Sequence, residues 1–233
     1  MTLKIGILRT GDPPADMVGF ATYPEMVSAS LSSSYSYKTF DVVAGELPRT
    51  GEGVDGYVIT GSPAGVYDGE RWIESFKEWL RTSDRNRPIV GICFGHQVMA
   101  EAFGGEVRKS EKGWGGGLQT YEATELQPWM DGDPRYVLPA AHQDQVIRVP
   151  ETAQVIAGSP FCPVAALVYR DRKAVTFQAH PEFPRDYTEA LVRRRLRLGT
   201  LTPEQGARAL SSLEGPDDRG RVLGWIRRFL ESA

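Results

Sequence analysis

The segment Gly91-Ile92-Cys93-Phe94-Gly95 constrains the fold of this chain more than any other sequence feature. It follows residues 88–90, an apolar run typical of a buried strand, and precedes residues 98–103, which favour a helix. A cysteine between glycines at such a junction predicts a sharp turn of the nucleophile-elbow type, with sulfur in place of a hydroxyl. Free N–H groups and the dipole at the helix N-terminus favour the thiolate, so we expect a reactive Cys93.

Composition sets the class of protein in which this turn occurs. The 233 residues are 41% hydrophobic and 24% charged, which is ordinary for a soluble globular chain. The net charge of −3 disfavours a nucleic-acid partner, and neither a signal peptide nor a membrane-spanning run is visible. Two cysteines and three scattered histidines indicate neither a disulfide framework nor a metal site. We expect one cytoplasmic domain over residues 1–233, without metal or cofactor.

Strand and helix patterns alternate over the first hundred residues. Predicted strands cover residues 3–8, 35–43, 56–60 and 88–92, and predicted helices cover 24–31, 70–80 and 98–103. This alternation predicts an α/β fold with a doubly wound, mainly parallel sheet flanked by helices. Sites in such sheets form outside the carboxyl ends of strands. Gly61 and Cys93 each follow a predicted strand end, so we expect them to face the same crevice.

The second half of the chain has a different pattern. Short strands are predicted at 107–109, 118–124, 137–140, 146–149 and 154–157, with a hairpin formed by 164–169 and 173–179. These predict a small antiparallel sheet, followed by a helical tail over 184–233 with helices at 187–198, 203–213 and 217–230. Residues 112–117 are glycine-rich, but the lysine-serine/threonine pair of a phosphate-binding loop is missing. We expect a flexible rim of the crevice there.

A nucleophilic cysteine needs a base, and the base needs an orienting group. His180 ends a predicted strand, and Glu182, two residues later, can reach back to its imidazole. His96 is the alternative base, although its place in the helix after Cys93 favours a packing role. The plainer interpretations are a buried cysteine and a loop histidine beside a surface acid. The N–H groups of Phe94 and Gly61 are candidate donors to an oxyanion.

Four segments in this order resemble motifs of the class I, triad-type glutamine amidotransferases. Residues 91–97 (Gly-Ile-Cys-Phe-Gly-His-Gln) resemble the nucleophile motif, and residues 177–183 (Phe-Gln-Ala-His-Pro-Glu-Phe) resemble the motif with the catalytic histidine and glutamate. Residues 60–63 are similar to the oxyanion strand motif. Residues 162–166 resemble the segment before the last strand of GMP synthetase-type glutaminase domains. The resemblance implies a flavodoxin-like fold of that family.

The same resemblance implies specific roles for residues of this chain. Cys93 would be the nucleophile, His180 the general base and then acid, and Glu182 its orienting group. The N–H groups of Gly61 and Phe94 would form the oxyanion hole. Three further residues would contact the substrate, namely Gln97, Gln143 and Asp144. Residues 141–144 depart from the Ser-His-Gly-Asp of synthetase-type members, which leaves the donor to the substrate α-carboxylate open.

Three functions remain open at this point. The first is a stand-alone amidotransferase that hydrolyses glutamine and passes ammonia to a separate synthetase subunit. The second is a γ-glutamyl hydrolase or peptidase that acts on γ-glutamyl amines or glutathione-like compounds without a partner. The altered segment 141–144 favours the second, since a different pocket rim suits a different leaving group. The third, a regulatory module without activity, is disfavoured by the intact set of Cys93, His180 and Glu182.

Overall fold

The computed structural model describes residues 2–49 and 52–232. Strands in chain order are β1 (Lys4–Arg9), β2 (Ser36–Asp41), β3 (Gly56–Ile59), β4 (Ile89–Ile92), β5 (Glu106–Lys109), β6 (Gly115–Ala123), β7 (Arg135–His142), β8 (Asp144–Arg148), β9 (Ala153–Gly158), β10 (Ala166–Tyr169) and β11 (Ala174–Phe177). Helices are α1 (Tyr23–Leu31), α2 (Arg71–Thr82), α3 (Phe94–Ala102), α4 (Arg185–Arg197), α5 (Pro203–Ser212) and α6 (Arg219–Glu231).

One half of the main sheet is parallel. Its nine strands lie in the order β2-β1-β3-β4-β11-β10-β9-β6-β7, and neighbours from β2 to β11 pair in parallel. The short strands β3, β4 and β11 are buried along their whole length, as expected for parallel strands covered on both faces. Their carboxyl ends lie side by side, and this edge carries the segments that contain Gly61, Cys93 and His180. The predicted α/β sheet is confirmed.

The other half of the sheet is antiparallel. The strands β10, β9, β6 and β7 extend the main sheet, and β5 and β8 form a separate antiparallel pair. The predicted small antiparallel sheet is therefore this pair, while the rest of the meander joins the main sheet. Ala141 and His142 end β7, and Gln143 alone separates them from β8.

The prediction of a flexible rim at residues 112–117 is wrong for the three glycines at 115–117. Gly115, Gly116 and Gly117 begin β6 and pair with β7. A β-carbon on Gly117 would lie 2.4 Å from the Ala209 carbonyl oxygen, and its φ is +73°. Gly117 is therefore needed because α5 crosses the strand at close range, which is a common reason for glycine within a strand. A β-carbon on Gly115 would instead lie 2.6 Å from Cε1 of Phe161.

Helices cover both faces of the sheet. Along β1, Ile5 and Ile7 face a core cluster that includes α1 and α6, whereas Leu8 faces a cluster that includes α2 and α3. This alternation follows from the two-residue period of a strand. Trp225 of α6 is fully buried in the first cluster. The C-terminal helices thus contribute directly to the core beneath the parallel strands.

Local sequence explains where the helices begin. Thr22 and Thr202 each cap a helix, and each forms a capping box with a side chain three residues later. Proline occupies the first turn of both helices, where it costs no hydrogen bond. The amphipathic pattern at 70–80 corresponds to α2, which buries Ile73, Phe76 and Leu80. The predicted helices in the tail correspond to α4, α5 and α6.

Candidate active site

Cys93 occupies the predicted turn between β4 and α3. Its φ of 52° and ψ of −100° lie outside the regions that L residues favour, and it is the one non-glycine residue with positive φ in the described ranges. A β-carbon on Gly91 would lie 2.7 Å from the Gly95 carbonyl carbon, and one on Gly95 would lie 2.9 Å from Cβ of Ile59. Such contacts are too short for any side chain. Both positions therefore require glycine.

His180 and Glu182 form a buried pair just beyond the end of β11. Nδ1 of His180 lies 2.7 Å from Oε1 of Glu182, and the two side chains are 3% and 2% exposed. The Phe183 ring stacks on the imidazole with the ring centroids 3.8 Å apart. Burial lowers the pKa of His180, but its interactions with the Glu182 carboxylate and with Cys93 outweigh burial and raise this pKa to about 10. The imidazole is therefore protonated at neutral pH.

Gly61 brings the nucleophile segment and the base segment together. A β-carbon on Gly61 would lie 3.1 Å from Cε1 of His180 and 3.8 Å from Cβ of Cys93. These three residues therefore meet at the carboxyl edge of the sheet, and the expectation that Gly61 and Cys93 share a crevice is confirmed. Phe94 is the first residue of α3, so its N–H has no carbonyl in a preceding helical turn.

Two threonines hold the peptide unit that carries the Gly61 N–H. The Thr10 hydroxyl lies 2.9 Å from the Thr60 carbonyl oxygen and 3.0 Å from the Gly61 carbonyl oxygen. The Thr60 hydroxyl accepts from the Thr10 N–H at 3.0 Å. Because a peptide unit is planar, fixing the Thr60 carbonyl also fixes the direction of the Gly61 N–H. Thr10 is fully buried, which adds to the rigidity of this arrangement.

A chain of amides connects three segments beside the thiol. The Gln97 amide nitrogen donates to the Asp144 carbonyl at 2.9 Å and to Oε1 of Gln178 at 3.1 Å. The Gln178 amide nitrogen in turn lies 3.6 Å from Sγ of Cys93. Gln97 is buried, and its amide positions the elbow helix against β8 and β11.

The segment around Gln143 borders this network. The Gln143 carbonyl accepts from the Ser110 N–H at 3.0 Å. The Asp144 carboxyl lies beside the Tyr67 hydroxyl, and among the described residues its Oδ1 is buried without a hydrogen-bond partner. Burial raises the pKa of the Asp144 carboxyl, with a smaller opposing effect from Tyr67. Asp144 therefore offers an unused acceptor near the site.

The two other histidines, His96 and His142, lack the carboxylate partner and the raised pKa of His180. Nδ1 of His96 pairs with the Thr176 hydroxyl at 2.8 Å, and Nδ1 of His142 lies 3.3 Å from the Asp144 carbonyl. Burial lowers the pKa of each to about 3, so both imidazoles are neutral at neutral pH. His96 thus has the packing and hydrogen-bonding place expected for it. The described residues contain no group of three side chains suited to a metal ion.

Sequence reasoning missed several side chains that surround the site. The Thr10 hydroxyl and the Gln178 amide act through contacts with segments far away in the chain. Tyr23 and Tyr187 meet through their hydroxyls at 3.3 Å on the wall formed with Phe183, and burial raises the pKa of Tyr23. Of these residues, only Gln178 carried a local signal, since it lies within the motif around His180.

A family model described as glutamine amidotransferase class-I matches residues 27–195. The chain belongs to this family. A glutamine amidotransferase-like protein of Schizosaccharomyces pombe is 28% identical over 99% of both chains. Gamma-glutamyl peptidase 3 of Arabidopsis thaliana is 30% identical over 81% of this chain and 79% of its own. The crystal structure of a glutamine amidotransferase from Thermotoga maritima has a TM-score of 0.75 and 21% identity over 99% of both chains.

Membership of the class-I glutamine amidotransferase family confirms the resemblance drawn from residues 60–63, 91–97 and 177–183. The solved structure shares the mixed sheet flanked by helices, so the predicted fold is confirmed as well. Family membership makes the chain an enzyme of the amidotransferase and hydrolase type. None of the helices in the described part of the chain has the length and apolar character needed to cross a bilayer.

Proposed function

We propose that the chain hydrolyses a γ-glutamyl amide through a thioester on Cys93, releasing glutamate and an amine. The observation that carries this proposal is the strained turn that holds the Cys93 thiol beside the buried pair of His180 and Glu182. A nucleophile, a base and an orienting carboxylate in this arrangement suit acyl transfer.

Acylation uses the charges already present in the site. The Cys93 thiolate attacks the γ-carbonyl carbon, and the carbonyl π-electrons move to oxygen. The Gly61 and Phe94 N–H groups donate to this oxyanion, and removing one such donor typically costs about 100- to 1,000-fold in rate. His180 then gives its proton to the departing nitrogen as the C–N bond breaks. The products are a neutral amine and a Cys93 thioester.

Deacylation depends on the loss of charge at Cys93 when the thioester forms. The thioester has no negative charge, so one of the two charges that raise the pKa of His180 is gone. The neutral imidazole is then a base for water, which attacks the thioester carbonyl through the same oxyanion site. Collapse of the second tetrahedral intermediate expels the Cys93 thiolate, leaves His180 as the imidazolium and releases the γ-carboxylic acid, which loses its proton to solvent to give glutamate. Glu182 keeps Nδ1 oriented throughout.

The remaining site residues have supporting roles in this proposal. We infer that Gln97 holds the elbow helix and that its amide lies at the amino-acid end of the substrate. Gln143 and Asp144 border the same end, and the unpartnered Oδ1 of Asp144 suits the substrate α-ammonium group. Residues 1–233 would act as one domain, since α6 shares a core with β1.

The first candidate for the leaving amine is ammonia from glutamine. Family membership supports it, since the family is described as class-I glutamine amidotransferases. A separate acceptor enzyme, such as a synthetase subunit, would then use the ammonia. We expect the acceptor to bind over the crevice at the carboxyl edge of the sheet, because released ammonia must reach it without loss to solvent.

The second candidate is a larger γ-glutamyl amine or peptide, hydrolysed without a partner. Similarity to gamma-glutamyl peptidase 3 over 81% of this chain supports it. The altered segment 141–144 supports it as well, because this segment borders the amide network beside Cys93. A changed pocket wall at this place is expected to alter which γ-glutamyl compounds fit.

The test is to offer the purified protein glutamine, γ-glutamyl amines and glutathione, and to measure glutamate release together with the mass of the acyl-enzyme. Glutaminase activity that rises when an acceptor enzyme is added supports the first candidate. Fast turnover of γ-glutamyl amines or peptides by the protein alone supports the second. Failure of every compound to acylate Cys93 would contradict the proposal as a whole.

The second free cysteine, Cys162, provides a control for substitution of Cys93. Cys93→Ser should abolish turnover, whereas Cys162→Ala should retain it, because Cys162 is a fully buried thiol whose Sγ lies 3.5 Å from the Val164 carbonyl. Circular dichroism of both variants shows whether the fold is kept. Equal activity losses in the two variants would mean that Cys93 is not the nucleophile.

A further inference from the structure

Arg195 differs from the arginines beside it on α4. Arg193 pairs with Glu189 at 2.7 Å, and Arg194 pairs with Asp16 at 2.7 Å. Arg195 has no such carboxylate partner among the described residues, and its Nε is buried there without a hydrogen bond. A partly buried guanidinium without an anion is costly. The guanidinium therefore lacks an anion that a bound ligand can supply.

The direction of the Arg195 side chain leads to the active site. Tyr187, Leu191 and Arg195 are spaced by four residues, so they lie on one face of α4. Tyr187 contacts Phe183 with ring centroids 4.7 Å apart, and Phe183 stacks on His180. Long side chains on a helix lean toward its N-terminus, which for α4 is the end next to His180. The guanidinium therefore extends along the wall of the crevice.

Electrostatics agree with this placement. Burial and the charge of Arg194 lower the pKa of Arg195 to about 10, against an opposing effect of the Cys93 sulfur. Beside the larger effect of burial, the charge of Arg195 also contributes to the lowered pKa of His142, the last residue of β7. The guanidinium is therefore charged at neutral pH and lies within electrostatic range of the nucleophile.

Trp114 holds the guanidinium in a fixed plane. The Cζ atom of Arg195 lies 3.2 Å from the centre of the Trp114 ring. Such stacking uses the face of the guanidinium and leaves its N–H edge available, the geometry in which arginine binds a carboxylate through two parallel hydrogen bonds. Trp114 directly precedes Gly115, which pairs with His142 across β6 and β7. The stacked pair thus lies beside the segment that borders the substrate.

We propose that Arg195, held by Trp114, binds the α-carboxylate of the γ-glutamyl group and so selects substrates that carry it. The assignment rests on the proposed function. It also gives a reason for the departure at residues 141–144, since a donor to the α-carboxylate on α4 makes the serine and glycine of that segment dispensable. Arg195 is then a specificity-determining residue, distinct from the groups that perform the bond cleavage.

The test compares two substrates that differ only in the α-carboxylate, γ-glutamyl-p-nitroanilide and 4-aminobutyryl-p-nitroanilide. For Arg195→Gln we expect kcat/KM on the first to fall about 10- to 150-fold, mainly through KM, as for loss of a charge-assisted hydrogen bond. On the second substrate the variant should stay within about twofold of the unaltered protein. Arg195→Lys should restore part of the loss, and Arg193→Gln, on the exposed side of α4, should change neither.

A binding measurement makes the test independent of turnover. L-Glutamate should protect Cys93 of the unaltered protein and of Arg193→Gln from iodoacetamide, and this protection should weaken by at least tenfold in Arg195→Gln. Equal losses on both substrates, or unchanged protection by glutamate, would overturn the role of Arg195 while the proposed function stands. Absence of γ-glutamyl turnover by the unaltered protein would overturn both.

Discussion

Glu182→Gln separates the charge of the orienting group from its shape. The amide keeps the length of the side chain and can still accept from Nδ1 of His180, but it is neutral. The pair is buried, with side chains 3% and 2% exposed, so solvent does not screen the lost charge. His96 and His142 show the consequence of burial without a carboxylate, since the pKa of each is lowered to about 3. In Glu182→Gln the pKa of His180 should therefore fall far below about 10.

The expected loss of activity follows from the charge that the acceptor of this hydrogen bond loses. A hydrogen bond to a charged group contributes about 1.5–3 kcal/mol and one between neutral groups about 0.5–1.5 kcal/mol, so the difference of about 1–1.5 kcal/mol corresponds to about 5- to 12-fold in kcat/KM. The pH dependence should change as well, because a neutral imidazole no longer stabilises the Cys93 thiolate. The rate of alkylation of Cys93 by iodoacetamide at neutral pH should then fall toward that of a thiol with no imidazolium beside it.

The assay is the rate of alkylation between pH 4 and 9, together with kcat/KM for a γ-glutamyl substrate. Burial raises the pKa of the second thiol, Cys162, to about 12, so the reaction reports Cys93. Glu189→Gln is the matched control, since this exposed glutamate pairs with Arg193 on α4. An unchanged pH profile of alkylation in Glu182→Gln would refute the role assigned to the carboxylate.

The free energy of unfolding should also depend on pH through the raised pKa of His180. The pKa of His180 is raised in the folded state from 6.5 to about 10, so its contribution to the free energy of unfolding is fully present below pH 6.5. It is lost as the pH rises toward about 10, where the folded imidazolium gives up its proton. In urea titrations, the difference in unfolding free energy between the unaltered protein and Glu182→Gln should therefore shrink across this range.

Three further substitutions test the surroundings of the site and the core. Thr10→Val removes the hydroxyl that fixes the peptide unit of the Gly61 N–H, and kcat should fall about 5- to 10-fold with KM little changed; an unchanged kcat would contradict this role. Gly61→Ala places a methyl group 3.1 Å from Cε1 of His180, so kcat/KM should fall by about tenfold or more in steady-state assays while circular dichroism stays the same. Trp225→Ala removes a fully buried ring and should lower the free energy of unfolding by about 3–5 kcal/mol in a single urea transition. Two separate transitions would argue against one cooperative domain.

The parts of the site that the sequence could predict are those encoded by neighbouring residues. Cys93 lies between glycines at a strand end, and Glu182 lies two residues from His180, so local pattern is sufficient for both. Gly61 required one more step, namely that carboxyl ends of adjacent parallel strands share an edge. The register of β3, β4 and β11 brings their carboxyl ends to one edge, as this step requires.

The missed features depend on contacts between distant segments. Thr10 acts on Gly61 across fifty-one positions of chain, and Arg195 of α4 stacks on Trp114, which directly precedes β6. The local sequence does not show that Arg195 faces inward. It follows two further arginines, Arg193 and Arg194, which pair with carboxylates on the surface. The prediction of a flexible rim at 112–117 failed for a related reason. Glycine is typical of loops, and the sequence alone does not show that α5 packs closely against Gly117 in β6.

The backbone of Cys93 connects the nucleophile turn to the segment that carries His180. Its positive φ costs about 1–3 kcal/mol, which glycine would avoid, but glycine has no thiol. Gly91 and Gly95 have no space for a side chain, so the turn cannot relax toward its neighbours. The Cys93 N–H donates at 2.8 Å to the carbonyl of Phe177, the last residue of β11, three residues before His180. One hydrogen bond thus ties the strained turn to the end of the strand that leads to His180, and so helps to fix the nucleophile relative to its base.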